Sequence, residues 1–204
     1  YRLVTLNSIY ATRTDYQPLN LSEDEWSEFA FAPDESSINT SIIRYDIEPD
    51  GMMHLTSRGR VPGTLNNQFS LDEYDDRLRI ATENPWWSSS ENPNEPPGTN
   101  LYILNPSFDT MSLEGAVEGL APGEQVYAVR FSGDRGYVVT FRQVDPLFVI
   151  DLSVPQSPAV LGQLKIPGYS QYLHVIDENH LIGIGRDADE TTGQYESMVV
   201  SLFN

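Results

Sequence analysis

The sequence predicts an all-β chain: about four blades of a β-propeller, each a four-stranded antiparallel sheet, within a larger propeller. Three observations predict it. The dipeptide Pro-Gly recurs at Pro62-Gly63, Pro122-Gly123 and Pro167-Gly168. Two strand-like stretches follow each, joined by a tight turn rich in Asp, Asn and Gly, residues that tolerate turn conformations. The units so marked are some forty-five to sixty residues long, the period at which propellers repeat four short strands.

The elements follow in order. Residues 1–61 form a degenerate first unit. Its second strand is read at 7–12, its third at 42–47 and its fourth at 53–61, the last reached through a turn at Pro49-Asp50-Gly51. Residues 62–121 give strands at 68–74 and 78–82 around Asp75-Asp76-Arg77, then 101–104 and 113–120. Pro97-Gly98 reads as loop. Residues 122–166 give 126–131 and 136–141 around Gly133-Asp134-Arg135, then 147–152 and 160–166. Residues 167–204 give 172–176 and 180–185 around Asp177-Glu178-Asn179, then 198–203, with no fourth strand. Continuous apolar centres such as Tyr137-Val138-Val139 suit strands covered on both faces. A β-sandwich is the alternative architecture. Helix is expected only as one or two turns at Ser22 to Phe29.

Insertions fall between second and third strands, at 13–39, 83–100 and, shorter, 186–196. Connections at the same place in successive blades leave on the same side. Trp26, Trp86 and Trp87 would therefore gather on one face with many of the acids. Aromatics on such loops can grip a partner, stack on sugars or fold back over the propeller face.

Thirty acidic against twelve basic residues give a net charge of −18. Such a chain is repelled by phosphate backbones and anionic lipid, so neither nucleic acid nor membrane insertion is expected. Cationic partners and divalent metals fit better, although acid also simply solubilises a surface. There is no cysteine, which excludes disulfides and thiolate chemistry. No apolar run reaches the roughly 18–20 residues of a membrane span. The ends at Tyr1 and Asn204 both read as strand. A targeting segment is expected to lie outside them, and open edge strands there suit self-association.

Few residues suggest chemistry. The segment around Asp187, Asp189 and Glu190 alternates acids ahead of Gly193, which suits calcium, but it departs from an EF-hand loop and also reads as a solvated turn. The acids Asp72, Glu73, Asp75 and Asp76 can be paired catalytic carboxylates or turn formers neutralised by Arg77 and Arg79. Asp145 precedes proline at a strand entry, and Asp151 should cap a turn. Zinc would need His54, His174 and His180 to converge. No nucleophile elbow, phosphate loop or dinucleotide fingerprint occurs. No cofactor is required on this reading.

Several segments carry a resemblance, in order along residues 40–204. They are Val-Pro-Gly-Thr-Leu-Asn-Asn-Gln-Phe-Ser-Leu-Asp-Glu-Tyr (61–74), Leu-Arg-Ile-Ala-Thr (78–82), Leu-Ala-Pro-Gly-Glu (120–124), Phe-Arg-Gln-Val-Asp-Pro-Leu-Phe-Val-Ile-Asp-Leu (141–152), Leu-Lys-Ile-Pro-Gly-Tyr-Ser (164–170) and Gly-Ile-Gly (183–185). The chain resembles the secreted bacterial and archaeal proteins with a C-terminal β-propeller distantly related to WD repeats. That resemblance implies an exported or cell-surface protein, and it brings no catalytic residues with it. The expected function is an extracellular binding scaffold presenting acidic, aromatic loops to a protein or glycan. The alternatives are a hydrolase or lyase of glycans or peptides with carboxylates in the channel, and a purely structural spacer.

Overall fold

The computed structural model describes residues 1–15, 38–84, 98–107, 109–141, 145–166, 168–188 and 195–204. They form four antiparallel sheets, each built from consecutive strands in sequence order. The first holds β1 (Arg2–Val4), β2 (Ser8–Asp15), β3 (Asn39–Ile47) and β4 (Met53–Pro62). The second holds β5 (Leu71–Tyr74), β6 (Arg77–Asn84), β7 (Gly98–Asn105) and β8 (Ser112–Leu120). The third holds β9 (Gln125–Ser132), β10 (Arg135–Phe141), β11 (Asp145–Asp151) and β12 (Ala159–Ile166). The fourth has three strands, β13 (Tyr169–Val175), β14 (Leu181–Ala188) and β15 (Tyr195–Phe203). Four sheets in series exclude the two-sheet sandwich.

The sheets stack through three apolar seams. Tyr10, Ile42 and Val61 of the first meet Leu78, Ile80, Tyr102 and Leu104 of the second. Ala81, Leu101 and Ile103 meet Val129, Val138, Phe148 and Ile150 of the third. Ala128, Val139 and Leu147 meet Leu173 and Leu181 of the fourth. Because side chains alternate across a strand, the second and third sheets send one set of apolar residues to each neighbour. The outward face of the fourth sheet pairs Ile182 with Leu202, Ile184 with Val200 and Arg186 with Met198. Met198, Val200 and Leu202 there are 78%, 62% and 64% exposed.

Turn chemistry sets the hairpins. Asp75 and Asp76 both take positive φ, 50° and 57°, between the paired residues Tyr74 and Arg77. In the β13–β14 turn the Asp177 carboxylate accepts from the backbone N–H groups of Asn179 and His180, both at 2.9 Å. Asp151 does cap a turn, accepting from the Ser153 N–H at 3.0 Å.

The Pro-Gly repeat has a steric cause. Gly63 has φ +87°, and a Cβ there would lie 2.8 Å from the Glu83 carbonyl oxygen at the end of β6. Gly168 has φ +75°, and its Cβ would lie 2.1 Å from the Arg186 carbonyl oxygen in β14. Entry to these sheets presses the backbone against the end of the second strand, where only glycine fits.

Two sequence expectations are corrected. Residues 68–70 form a 3-10 turn, η1 (Gln68–Ser70), rather than strand, because the Asn67 side chain accepts from the Phe69 N–H at 2.8 Å and caps the turn. Gly98 opens β7 rather than lying in a loop, since it pairs with Asn84. The helical reading at Ser22 to Phe29 lies outside the described residues.

Candidate functional site

The stack has two ends of different chemistry. One is the end where second strands run out and third strands begin. Residues 62–66 lace it together. The Gly63 N–H donates to the Ile38 carbonyl at 2.7 Å, and the Thr40 hydroxyl donates to the Gly63 carbonyl at 2.7 Å. Thr64 and Glu83 exchange backbone hydrogen bonds of 2.9 and 2.8 Å. The Asn66 amide donates to the Val126 carbonyl at 2.6 Å. Val126 in turn pairs with Thr140 near the end of β10. Asp15 and Asn39, Asn84 and Gly98, and the β10–β11 junction therefore share one end.

Both tryptophan-bearing connections leave from this end. Trp26, Trp86 and Trp87 themselves lie outside the described residues, as do Asp189 and Glu190. Asp187 lies within β14, half-buried, rather than in a loop. Among the described residues no group of three His, Cys, Asp or Glu is arranged to hold a metal. His54 is on the first sheet, and His174 and His180 are on or beside the fourth.

Of two carboxylates at this end, Asp15 is buried and Glu83 half-buried. Asp15 accepts from the Ser41 hydroxyl at 2.7 Å and pairs with Arg13 at 2.6 Å. Glu83 has its pKa pushed up by burial, against a partial counterweight from the Val126 N–H at 3.5 Å.

The other end carries the first hairpin turn of each sheet. Several of its acids are engaged. Asp72 accepts from Arg79 Nε at 2.9 Å and pairs also with its Nη2. Glu73 accepts from the Tyr10 hydroxyl at 3.1 Å and faces Arg44 at 3.8 Å. Burial, reinforced by the Glu73 charge, drives the Tyr10 phenol well above its ordinary range. Arg77 bridges Asp75 at 3.1 Å and Glu114 at 2.6 Å. Burial pushes the Glu114 carboxyl up, but its bonds from Arg77 and Asn105 outweigh that and hold it below the usual range. Asp177 is also held low, chiefly by the Asn179 N–H and then by the His180 ring at 2.8 Å. An open cleft of about 740 Å³ lies here between the third and fourth sheets, lined by Tyr74, Asp134, Arg135, Tyr137, Asp177 and Glu178.

Sequence reasoning named Arg79 as a partner for the turn acids but missed that it, Arg44 and Arg130 cross the seams. Arg44 of the first sheet reaches Glu73 of the second. Arg79 of the second donates to the Gly133 carbonyl of the third and lies 5.2 Å from the Phe131 ring centroid. Arg130 of the third donates to the Leu173 carbonyl of the fourth at 2.9 Å. It also stacks on Phe69 at 4.0 Å and Tyr172 at 5.1 Å. The signal was present: each sits between apolar residues inside a strand, as in Leu78-Arg79-Ile80 and Val129-Arg130-Phe131. A guanidinium so placed must find acceptors in the next layer.

Comparison with known proteins adds the following. The sequence model of a family described as a beta propeller domain matches residues 3–204, further toward the N-terminus than the quoted motifs reach. An uncharacterized protein of Archaeoglobus fulgidus is 41% identical over 181 residues, covering 82% of this chain and 26% of that protein. An uncharacterized protein of Methanocaldococcus jannaschii is 40% identical over 185 residues, covering 91% of this chain and 26% of that protein. The chain thus spans about a quarter of the length of these relatives.

Proposed function

The chain belongs to the beta propeller domain family, and from that premise we propose that it is a binding scaffold working outside the cell. Its partner is a protein or a glycan, held by the acidic, aromatic connections between second and third strands. One observation carries this reading. Strands from three sheets end together around Gly63, Thr64 and Asn66, so loops springing from them share a rim. Rims of this kind are where repeat architectures meet partners. Trp26, Trp86 and Trp87 supply large contact area at low entropic cost, and the net charge of −18 favours a cationic partner surface.

The hydrolase or lyase reading requires carboxylates free to act on a substrate. Asp72, Glu73, Asp75 and Glu114 are instead neutralised by Arg79, Arg44 and Arg77, which favours the scaffold. Calcium at Asp187, Asp189 and Glu190 is a subsidiary part of the proposal. Added calcium should then raise Tm and chelator reverse it by mass action, and unchanged melting removes it.

The test is binding of the chain to immobilised glycans and basic peptides. Replacing Trp86 and Trp87 together by Ala should weaken binding about tenfold or more. Asp75→Asn with Asp76→Asn, at the opposite end, should change it less than about twofold. Equal losses from both ends, or a panel that captures nothing, would overturn the reading.

A further inference from the structure

The first strands of three sheets, with η1 ahead of one of them, converge on a cavity of different character from the rim. We propose that it is a binding site for a small organic carboxylate with an apolar body, independent of the rim and its partner. Arg2 and Arg130 take the carboxylate, and Val4, Phe69 and Phe131 wall the apolar side.

The cavity has a volume of about 350 Å³, a size that suits small-molecule sites. β1 contributes Arg2 and Val4, η1 contributes Phe69, β5 contributes Asp72, and β9 contributes Arg130 and Phe131. Val4 is 65% exposed, an apolar side chain left in water at the cavity. A ligand with an apolar body would cover it.

Charge gives the first argument. Arg44, Arg77, Arg79 and Arg135 each pair with a carboxylate. Arg2 and Arg130 pair with none among the described residues. Scarcity is not the cause, since the chain has 30 acidic residues against 12 basic ones. Asp72 also lines the cavity, but Arg79 already holds it. The wall therefore carries two guanidiniums that no side chain neutralises.

Preorganisation gives the second. Arg130 Nε donates to the Leu173 carbonyl at 2.9 Å, and the guanidinium lies 4.0 Å from the Phe69 ring centroid and 5.1 Å from that of Tyr172. Those two rings meet edge to face, their centroids 5.8 Å apart. The fork is held in place without its Nη groups, which make no hydrogen bond among the described residues. A planar guanidinium with donors to spare matches a carboxylate, and little side-chain freedom remains to be lost on binding. The net charge of −18 opposes every anion, and it opposes a doubly charged phosphate about twice as strongly as a singly charged carboxylate. The apolar wall favours an organic body over a bare ion.

Isothermal titration calorimetry of the 204-residue chain at low salt tests this, with phenylacetate as the probe. Phenylacetamide, glucuronate and inorganic phosphate are the comparisons: one neutral, one polar, one more highly charged. Phenylacetate should bind with a Kd of about 1 mM or tighter, and each comparison about fivefold or more weakly. Arg2→Gln should weaken phenylacetate binding about threefold, and Arg130→Gln about tenfold. Arg58→Gln removes the same charge from an exposed position on β4 and should change binding by less than about 1.3-fold. Circular dichroism checks folding, and if Arg130→Gln does not fold, Arg2→Gln decides. No binding of phenylacetate overturns the proposal. Equal weakening by Arg2→Gln and Arg58→Gln also overturns it, by revealing only a general effect of charge. So does any of the three comparisons binding as tightly as phenylacetate, because the site would then select neither for a carboxylate nor for an apolar body.

Discussion

Strands β7 and β15 occupy the same place in their sheets, third from the inner edge, and both are rich in apolar residues. Their surroundings differ. Every residue of β7 from Gly98 to Leu104 is buried, with β6 and β8 beside it and a sheet on each face. In β15, Met198, Val200 and Leu202 stand in solvent while Phe203, on the other face, packs against Leu173 and Leu181. Residue type alone does not separate the two. What separates them is the number of neighbouring layers, so a strand apolar on both faces specifies two neighbours.

The largest way to sharpen this comparison is to truncate side chains in both places. Leu101→Ala should cost about 2–5 kcal/mol, measured by chemical denaturation, since Leu101 is fully buried between the second and third sheets. Val200→Ala should stay within about 0.5 kcal/mol. Equal costs would break the distinction.

The arginines give the next effect. Arg79→Ala should destabilise by about 3–5 kcal/mol, because it removes a buried cation and leaves Asp72 without it. Arg186→Ala in the isolated chain should change stability by less than about 0.5 kcal/mol. A mild Arg79 variant would mean that its seam contacts are dispensable.

Titration gives smaller effects of opposite sign. Glu114 has a depressed pKa in the folded state, so its contribution is present above its unfolded pKa and is lost as pH falls through the folded value. Glu114→Gln should therefore be less stable than the parent at neutral pH, and the gap should close in acid. Glu83 has a raised pKa, so its contribution is complete below the unfolded value and is lost as pH rises through the folded one. Glu83→Gln should melt higher than the parent at pH 7, with the two converging near pH 4. Thermal melts across that range check both signs.

Much of this was legible in the sequence, for local reasons. The hairpins at Asp75-Asp76, Gly133-Asp134 and Asp177 to Asn179 declare themselves through turn residues, and the strands beside them through short apolar runs. The Pro-Gly marker was visible as a repeat, but its cause, close approach of Gly63 to Glu83, needs three dimensions. The turn at Gln68–Ser70 was missed because Asn67 outcompetes a strand-like run by capping it. The candidate rim was legible only as loop position. Which strand ends converge depends on contacts such as Asn66 to Val126, sixty residues apart in sequence.

Native-state hydrogen exchange tests the stacking most directly. The account predicts that the slowest amides lie in β6, β7 and β10, inside the doubly covered sheets, and that amides of β15 exchange faster by several orders of magnitude through local opening. Protection in β15 equal to that in β7 would contradict it, because the fourth sheet could not then be the open end of the stack.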